Sequence, residues 1–154
     1  MNFLKNLMGM GGAKSDSKKA EIRNIFNSKV ENGEAYTVLA AMYMLHEQKL
    51  LKEVRTYYNY IIGYKDGDDP EIVIISTDHE LTDVGEPVYC KKSECRKAEY
   101  SQQGTFLITH PDLGDKPLEF GIIASSAWSG YIISVSYVDE FTPFMEFFQN
   151  RFAK

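Results

Sequence analysis

The chain has 154 residues and a mass of 17.6 kDa, the size of one domain, and it is long enough to bury a core without a disulfide or metal staple. Hydrophobic residues at 44% and charged residues at 25% exclude a disordered or fibrous chain, and no apolar run approaches the ~20 residues that cross a bilayer. Twenty-two acids against seventeen bases leave a net charge of −5, which argues against a general nucleic-acid binder.

Residues 1–13 read as a flexible tip and linker, and 14–154 as a single globular domain. In the tip, Phe3, Leu4, Leu7 and Met8 fall at helical spacing around Lys5, a short amphipathic segment suited to a membrane surface or a partner groove. Lys5 and Asn6 interrupt the apolar run, so it does not read as a secretory signal. Gly9-Met10-Gly11-Gly12-Ala13 has linker composition. Asp16 or Ser17 then caps a helix over 17–31, with Ile22, Ile25, Phe26 and Val30 on one stripe, stopped by Asn32-Gly33.

Residues 34–56 fit two periods. Tyr36, Val38, Ala40, Met42 and Met44 alternate with Leu39, Ala41, Tyr43 and Leu45 as in a strand buried on both faces. Val38, Leu39, Met42 and Leu45 also make a helical stripe, and Ala, Leu and Met favour helix. From Tyr57 the signal is β. Tyr57–Tyr64 closes in the turn Lys65–Pro70, Ile72–Ile75 reads as a buried strand, and Val88–Tyr100 as one long polar edge strand. Thr105–Thr109, Leu118–Ile122 and Tyr131–Tyr137 follow, the last with Tyr131, Ile133, Val135 and Tyr137 on one face. Together, 34–138 reads as a β meander. Finally, Thr142 and Pro143 open a helix over 142–152 whose stripe of Phe141, Phe144, Met145, Phe148 and Phe152 must be buried, Phe144 and Phe148 deepest.

The class is therefore mainly β with helices (α+β). A seven-strand antiparallel meander closed by one C-terminal amphipathic helix resembles the pleckstrin-homology (PH) superfold, including its bacterial PH and GRAM-like members. The likeness runs over 32–152. It is carried by Asn32-Gly33-Glu34 before a first strand, the Tyr57–Ser76 hairpin, Pro87-Val88-Tyr89, Gly104–Ile108, Leu118–Gly121 and the closing helix from Phe141 to Phe148. Helix 17–31 is an addition to that fold. The resemblance implies a barrel or sandwich acting as a non-enzymatic module for lipid headgroups, peptides or other domains. Headgroup binders of this kind cluster Lys and Arg around the first inter-strand loop. Here that loop falls at His46–Lys49 with only Lys52 and Arg55 following, and the next turn, Asp66–Asp69, is acidic and repels phosphate.

Charge is segregated along the chain: residues 1–30 carry a net +4, and residues 64–86 a net −7. Cys90 and Cys95 are spaced for neither a redox pair nor a zinc half-site, and they read as small buried hydrophobes in the reduced thiol state of a cytoplasmic protein. His46, His79 and His110 sit at strand ends or turns as surface histidines without a converging ligand set. Asp66-Gly67-Asp68-Asp69 lacks the alternating ligands and the closing Glu of a calcium loop. No Walker, dinucleotide or nucleophile-elbow motif is present. No catalytic, cofactor-binding or metal residue is assigned.

The expected interaction surface is Trp128 in the loop 125–130, with Tyr57 and Tyr60 from the tyrosine cluster and Phe3 and Leu7 at the N-terminus. The leading expectation is a PH-like module that binds a protein partner or itself through a strand edge or this aromatic surface. Two alternatives stand beside it. One is a small-molecule pocket in a barrel or an NTF2-like cone with weak enzymatic chemistry, favoured if 34–55 is helical. The other is peripheral membrane association through residues 3–8.

Overall fold

The computed structural model describes residues 3–124 and 130–153, with side chains from Ser15 onward. In it the ambiguous stretch is extended: β1 (Thr37–Lys49) and β2 (Lys52–Lys65) form one hairpin around the two-residue turn Leu50-Leu51. Its ladder runs from Thr37↔Tyr64 to Lys49↔Lys52 without a bulge. Leu39, Ala40 and Ala41 are fully buried, so β1 is apolar on both faces because both faces are covered. The helix propensity of Ala and Met is worth only tenths of a kcal/mol per residue, and the paired ladder outweighs it. An NTF2-like cone loses the helices it would need here. The first inter-strand turn also moves, from the expected 46–49 to 50–51.

Five more strands complete a curled antiparallel sheet: β3 (Glu71–Thr77), β4 (Val88–Lys91), β5 (Lys97–Tyr100), β6 (Phe106–Thr109) and β7 (Leu118–Ile122). Their order is β4-β3-β2-β1-β7-β6-β5, an open half-barrel hinged on β1. The β7 ladder with β1 has two pairs, Ala41↔Ile122 and Met42↔Gly121.

The expected total of seven strands is met by a different set. The long edge strand over 88–100 is broken in two by a 3₁₀ turn at Lys92–Glu94. The Asp69 carboxylate takes the N–H and hydroxyl of Ser93 at 3.0 and 2.6 Å, and Lys92 N–H donates to the Pro70 carbonyl, which swings the chain from one edge of the sheet to the other. Residues 131–137 keep the predicted alternation, with Ile133, Val135 and Tyr137 buried, but they join no ladder and Tyr131 is exposed. Asn59 of β2 stands in for a strand there: its amide donates to the Tyr131 carbonyl and accepts from Ile133 N–H, both at 3.0 Å. Tyr137 N–H donates to the Ile123 carbonyl.

Helix α1 (Phe3–Lys29) starts earlier than predicted and runs through 9–13, where a linker was expected. Each glycine there costs about 1 kcal/mol against alanine, so propensity reads as a break; elongation from packed turns adds one hydrogen bond per residue and carries the helix through. Ile22 and Phe26 are its buried face, and Val30, just past its end, is buried too. Arg23 donates to the carbonyls of Gly33 and Tyr36 at 2.7 and 2.5 Å, tying the helix end to the start of β1. The chain leaves the helix through Asn32 at φ 57°, the left-handed conformation that asparagine tolerates.

Helix α2 (Phe141–Phe147) continues into a π-helical turn, Phe148–Phe152, in which Ala153 N–H reaches the Phe148 carbonyl at 2.7 Å. Its N-cap is Glu140 rather than Thr142, which leaves Pro143 inside the first turn where a missing N–H costs nothing. Phe144 and Phe148 are fully buried, as their spacing predicts. Phe144 meets Tyr64 of β2 and Phe106 of β6 at centroid distances of 5.1 and 4.9 Å. The helix thus bridges both halves of the curled sheet.

Candidate docking surface

The β1–β2 hairpin outgrows the sheet. β7 leaves β1 after Met42, and β3 pairs with β2 only from Asn59 onward, so residues 43–58 form a ribbon with no third strand on either edge. Seven cross-strand pairs at about 3.4 Å each make an arm of roughly 24 Å. Such a ribbon is marginal in water by itself.

Apolar surface gathers on this arm. Of seven exposed large hydrophobic residues among those described, four are on it: Met44, Tyr58, Leu50 and Leu51, the last two 99% and 102% exposed. A fifth, Tyr131, stacks on Tyr57 at the root of the arm, centroids 4.9 Å apart and planes 14° apart. At the tip Leu50 also adopts φ 50°. Two-residue hairpin turns give that position to Gly, Asn or Asp, and a leucine there costs about 1–2 kcal/mol. Full exposure and backbone strain therefore fall on the same residue. Lys49 and Lys52 face each other just below, the only like-charged pair in the ladder.

Beside the root lies an open depression of ≈ 590 Å³ walled by Tyr57 and Tyr131, with Arg55, Asp78 and His79 on its rim. Its charges are engaged within the protein. Arg55 donates to Glu53 at 2.7 Å. Asp78 accepts from the backbone N–H groups of Asp83 and Thr82 and from the Thr82 hydroxyl, and these bonds, the Asp83 N–H first, hold its carboxyl well below the usual range. His79 lies 3.4 Å from the Glu80 carboxylate. The depression has an aromatic wall and no convergent set of unsatisfied polar groups among the described residues.

Of the sequence-predicted surface, Tyr57 stands at the arm root, half-buried under Tyr131. Tyr60 is only 6% exposed and belongs to the core. Burial pushes its hydroxyl up to about 12. Phe3 and Leu7 lie on α1 before the described side chains begin, and Trp128 lies outside the described residues. The tip leucines were not anticipated: Leu50-Leu51 in sequence looks like the apolar start of a strand.

Burial pushes the Cys90 thiol up to about 12 and Cys95 up to about 11, so neither is a thiolate near neutrality. Both are free of disulfides. His110, expected at the surface, is 3% exposed; its Nδ1 accepts from Asp112 N–H at 3.0 Å and caps the 3₁₀ turn Pro111–Leu113. His46 bonds instead to Glu53 across the arm at 3.0 Å. Among the described residues no group of three or more His, Cys, Asp or Glu side chains is placed to hold a metal ion, and no helix is long and apolar enough to cross a membrane.

Compared with known proteins, the chain matches no family model, no curated protein and no solved structure.

Proposed function

We propose that this chain is a non-enzymatic interaction module of PH-like architecture that binds a protein partner or a second copy of itself through the β1–β2 arm. The single observation that carries the reading is the arm itself: a ribbon without a third strand that bears four of the seven exposed large apolar side chains among the described residues. Ribbons of this kind gain stability when a third strand or an apolar surface covers them. Seven antiparallel strands and a C-terminal amphipathic helix are the element order on which the PH-like resemblance rests. Two free thiols fit a cytoplasmic setting.

The test replaces Met44, Leu50, Leu51 and Tyr58 together by serine and compares association in solution with that of the original chain. The reading requires the variant to keep its fold by circular dichroism and lose self-association or partner capture. Unchanged association overturns it.

A second reading is favoured at the tip alone. Lys49-Leu50-Leu51-Lys52 puts two fully exposed leucines between two cations, a composition that enters the headgroup region of an anionic bilayer. Flotation with anionic vesicles that is lost in the same variant supports that surface over a protein one.

A further inference from the structure

The partner of the arm can be read from its ladder and its turn. This step rests on the docking reading above and names the occupant. The β1–β2 register pairs residues whose numbers mirror each other about the bond between Leu50 and Leu51, with no bulge from Thr37↔Tyr64 to Lys49↔Lys52. If the turn straightens, residues 37–65 become one continuous strand. Two such strands from two copies can then pair antiparallel in the same mirror register. Every pair of the hairpin is kept, now between chains. The two residues that had no cross-strand partner gain one: Leu50 of each copy falls opposite Leu51 of the other.

We propose that this chain forms a dimer by exchanging α1 and β1 about the Leu50-Leu51 turn. Three observations support it. The turn is a two-residue hinge with a leucine at φ 50°, and short strained hinges favour exchange because opening them relieves the strain. Both hinge side chains are fully exposed in the closed form and become mutually covered in the open one. Lastly, residues 43–58 carry no third strand, so straightening them disrupts no other ladder. In the exchanged dimer these sixteen residues span about 50 Å between the two bodies, which keeps the bodies apart.

The elements that exchange keep their own contacts. In each body α1 still packs Phe26 over Gly63, and β1 still meets β7 at Ala41 and Met42, with the two sides supplied by different chains. One interaction worsens: Lys49 and Lys52 of both copies converge near the new axis. Their repulsion is screened by salt, so the dimer gains on raising salt from about 0.05 to about 0.5 M.

The experiment refolds the full chain at about 0.5 mM and about 5 μM and follows mass by light scattering and native mass spectrometry, alongside Leu50→Gly. The expected result is a dimer from the concentrated refolding that survives dilution for hours. Isotope-labelled and unlabelled chains should give mixed dimers only when refolded together. Leu50→Gly, which relaxes the closed turn, should lower the dimer-to-monomer ratio at least tenfold. A chain that is monomeric after concentrated refolding overturns the proposal. So does a dimer that trades subunits within minutes without unfolding and ignores Leu50→Gly; that result leaves docking by the arm standing with a closed hairpin. A monomer that floats with anionic vesicles, and stops floating when Leu50 and Leu51 become serine, overturns it in favour of a bilayer. Loss of the docking reading itself is a separate outcome, seen only if the four-serine arm variant associates as the original chain does.

Discussion

The ring of Phe26 occupies the space above Gly63: a Cβ at that position would sit 2.1 Å from the ring's Cζ. Gly63 lies on β2 between Val38 and Val73, and its missing side chain makes the slot that seats α1 on the sheet. Gly63→Ala should therefore destabilise the fold by about 1–3 kcal/mol, the usual cost of overpacking a core. Denaturant midpoints check this. Combining it with Phe26→Leu should recover part of the loss, because the smaller side chain vacates the slot.

Asn59 replaces a strand for residues 131–133, and it is 5% exposed. Asn59→Leu removes the donor to the Tyr131 carbonyl and the acceptor for Ile133 N–H. A buried group left unsatisfied costs about 1–3 kcal/mol. The expected signature is a lower melting temperature with faster hydrogen exchange at the Ile133 amide, while amides of the β2–β3 ladder keep their protection.

The carboxyl of Asp78 is held low by the N–H of Asp83 and the hydroxyl of Thr82. A folded pKa below the unfolded value of ~3.9 means stability that is complete above that value and is lost as pH falls through the folded one. Asp78→Asn should be less stable than the original chain at pH 7, and the gap should narrow progressively as pH falls below about 4. Melting curves across pH 2–7 read the difference.

Cys90 and Cys95 titrate far above neutrality because burial disfavours the thiolate. Folded protein at about pH 8 should react with iodoacetamide at least tenfold more slowly than the same protein in denaturant. Peptide mapping should show Cys90, which is fully buried, as the slower of the two.

What the sequence made legible followed periodic burial. The stripe of Phe144, Phe148 and Phe152 announced its own depth, and the run Ile72–Ile75 announced a strand covered on both faces, as it is. What stayed hidden depended on distant partners. Residues 131–137 alternate like a strand, yet Tyr131 and Ile133 bond an asparagine side chain more than seventy residues away and Tyr137 bonds the Ile123 carbonyl, so periodicity named the buried side and missed the absent ladder. The break at Lys92–Glu94 depends on Asp69, which is remote in sequence. The arm was hidden for a different reason. Leucine is read as core, and nothing local to Leu50-Leu51 says that the flanking strands there run out beyond their neighbours.

The thin seam between β1 and β7 sets the order in which a growing chain can complete itself. The β1–β2–β3 meander needs only neighbours in sequence and is finished at Thr77. The seam at Ala41↔Ile122 waits for roughly forty-five more residues, and the clasp of Phe144 and Phe148 waits longer still. At ribosomal speeds of about 5–20 residues per second, the first half stands without its cover for on the order of ten seconds. During that interval, neighbouring nascent chains on one message hold matching uncovered hairpins.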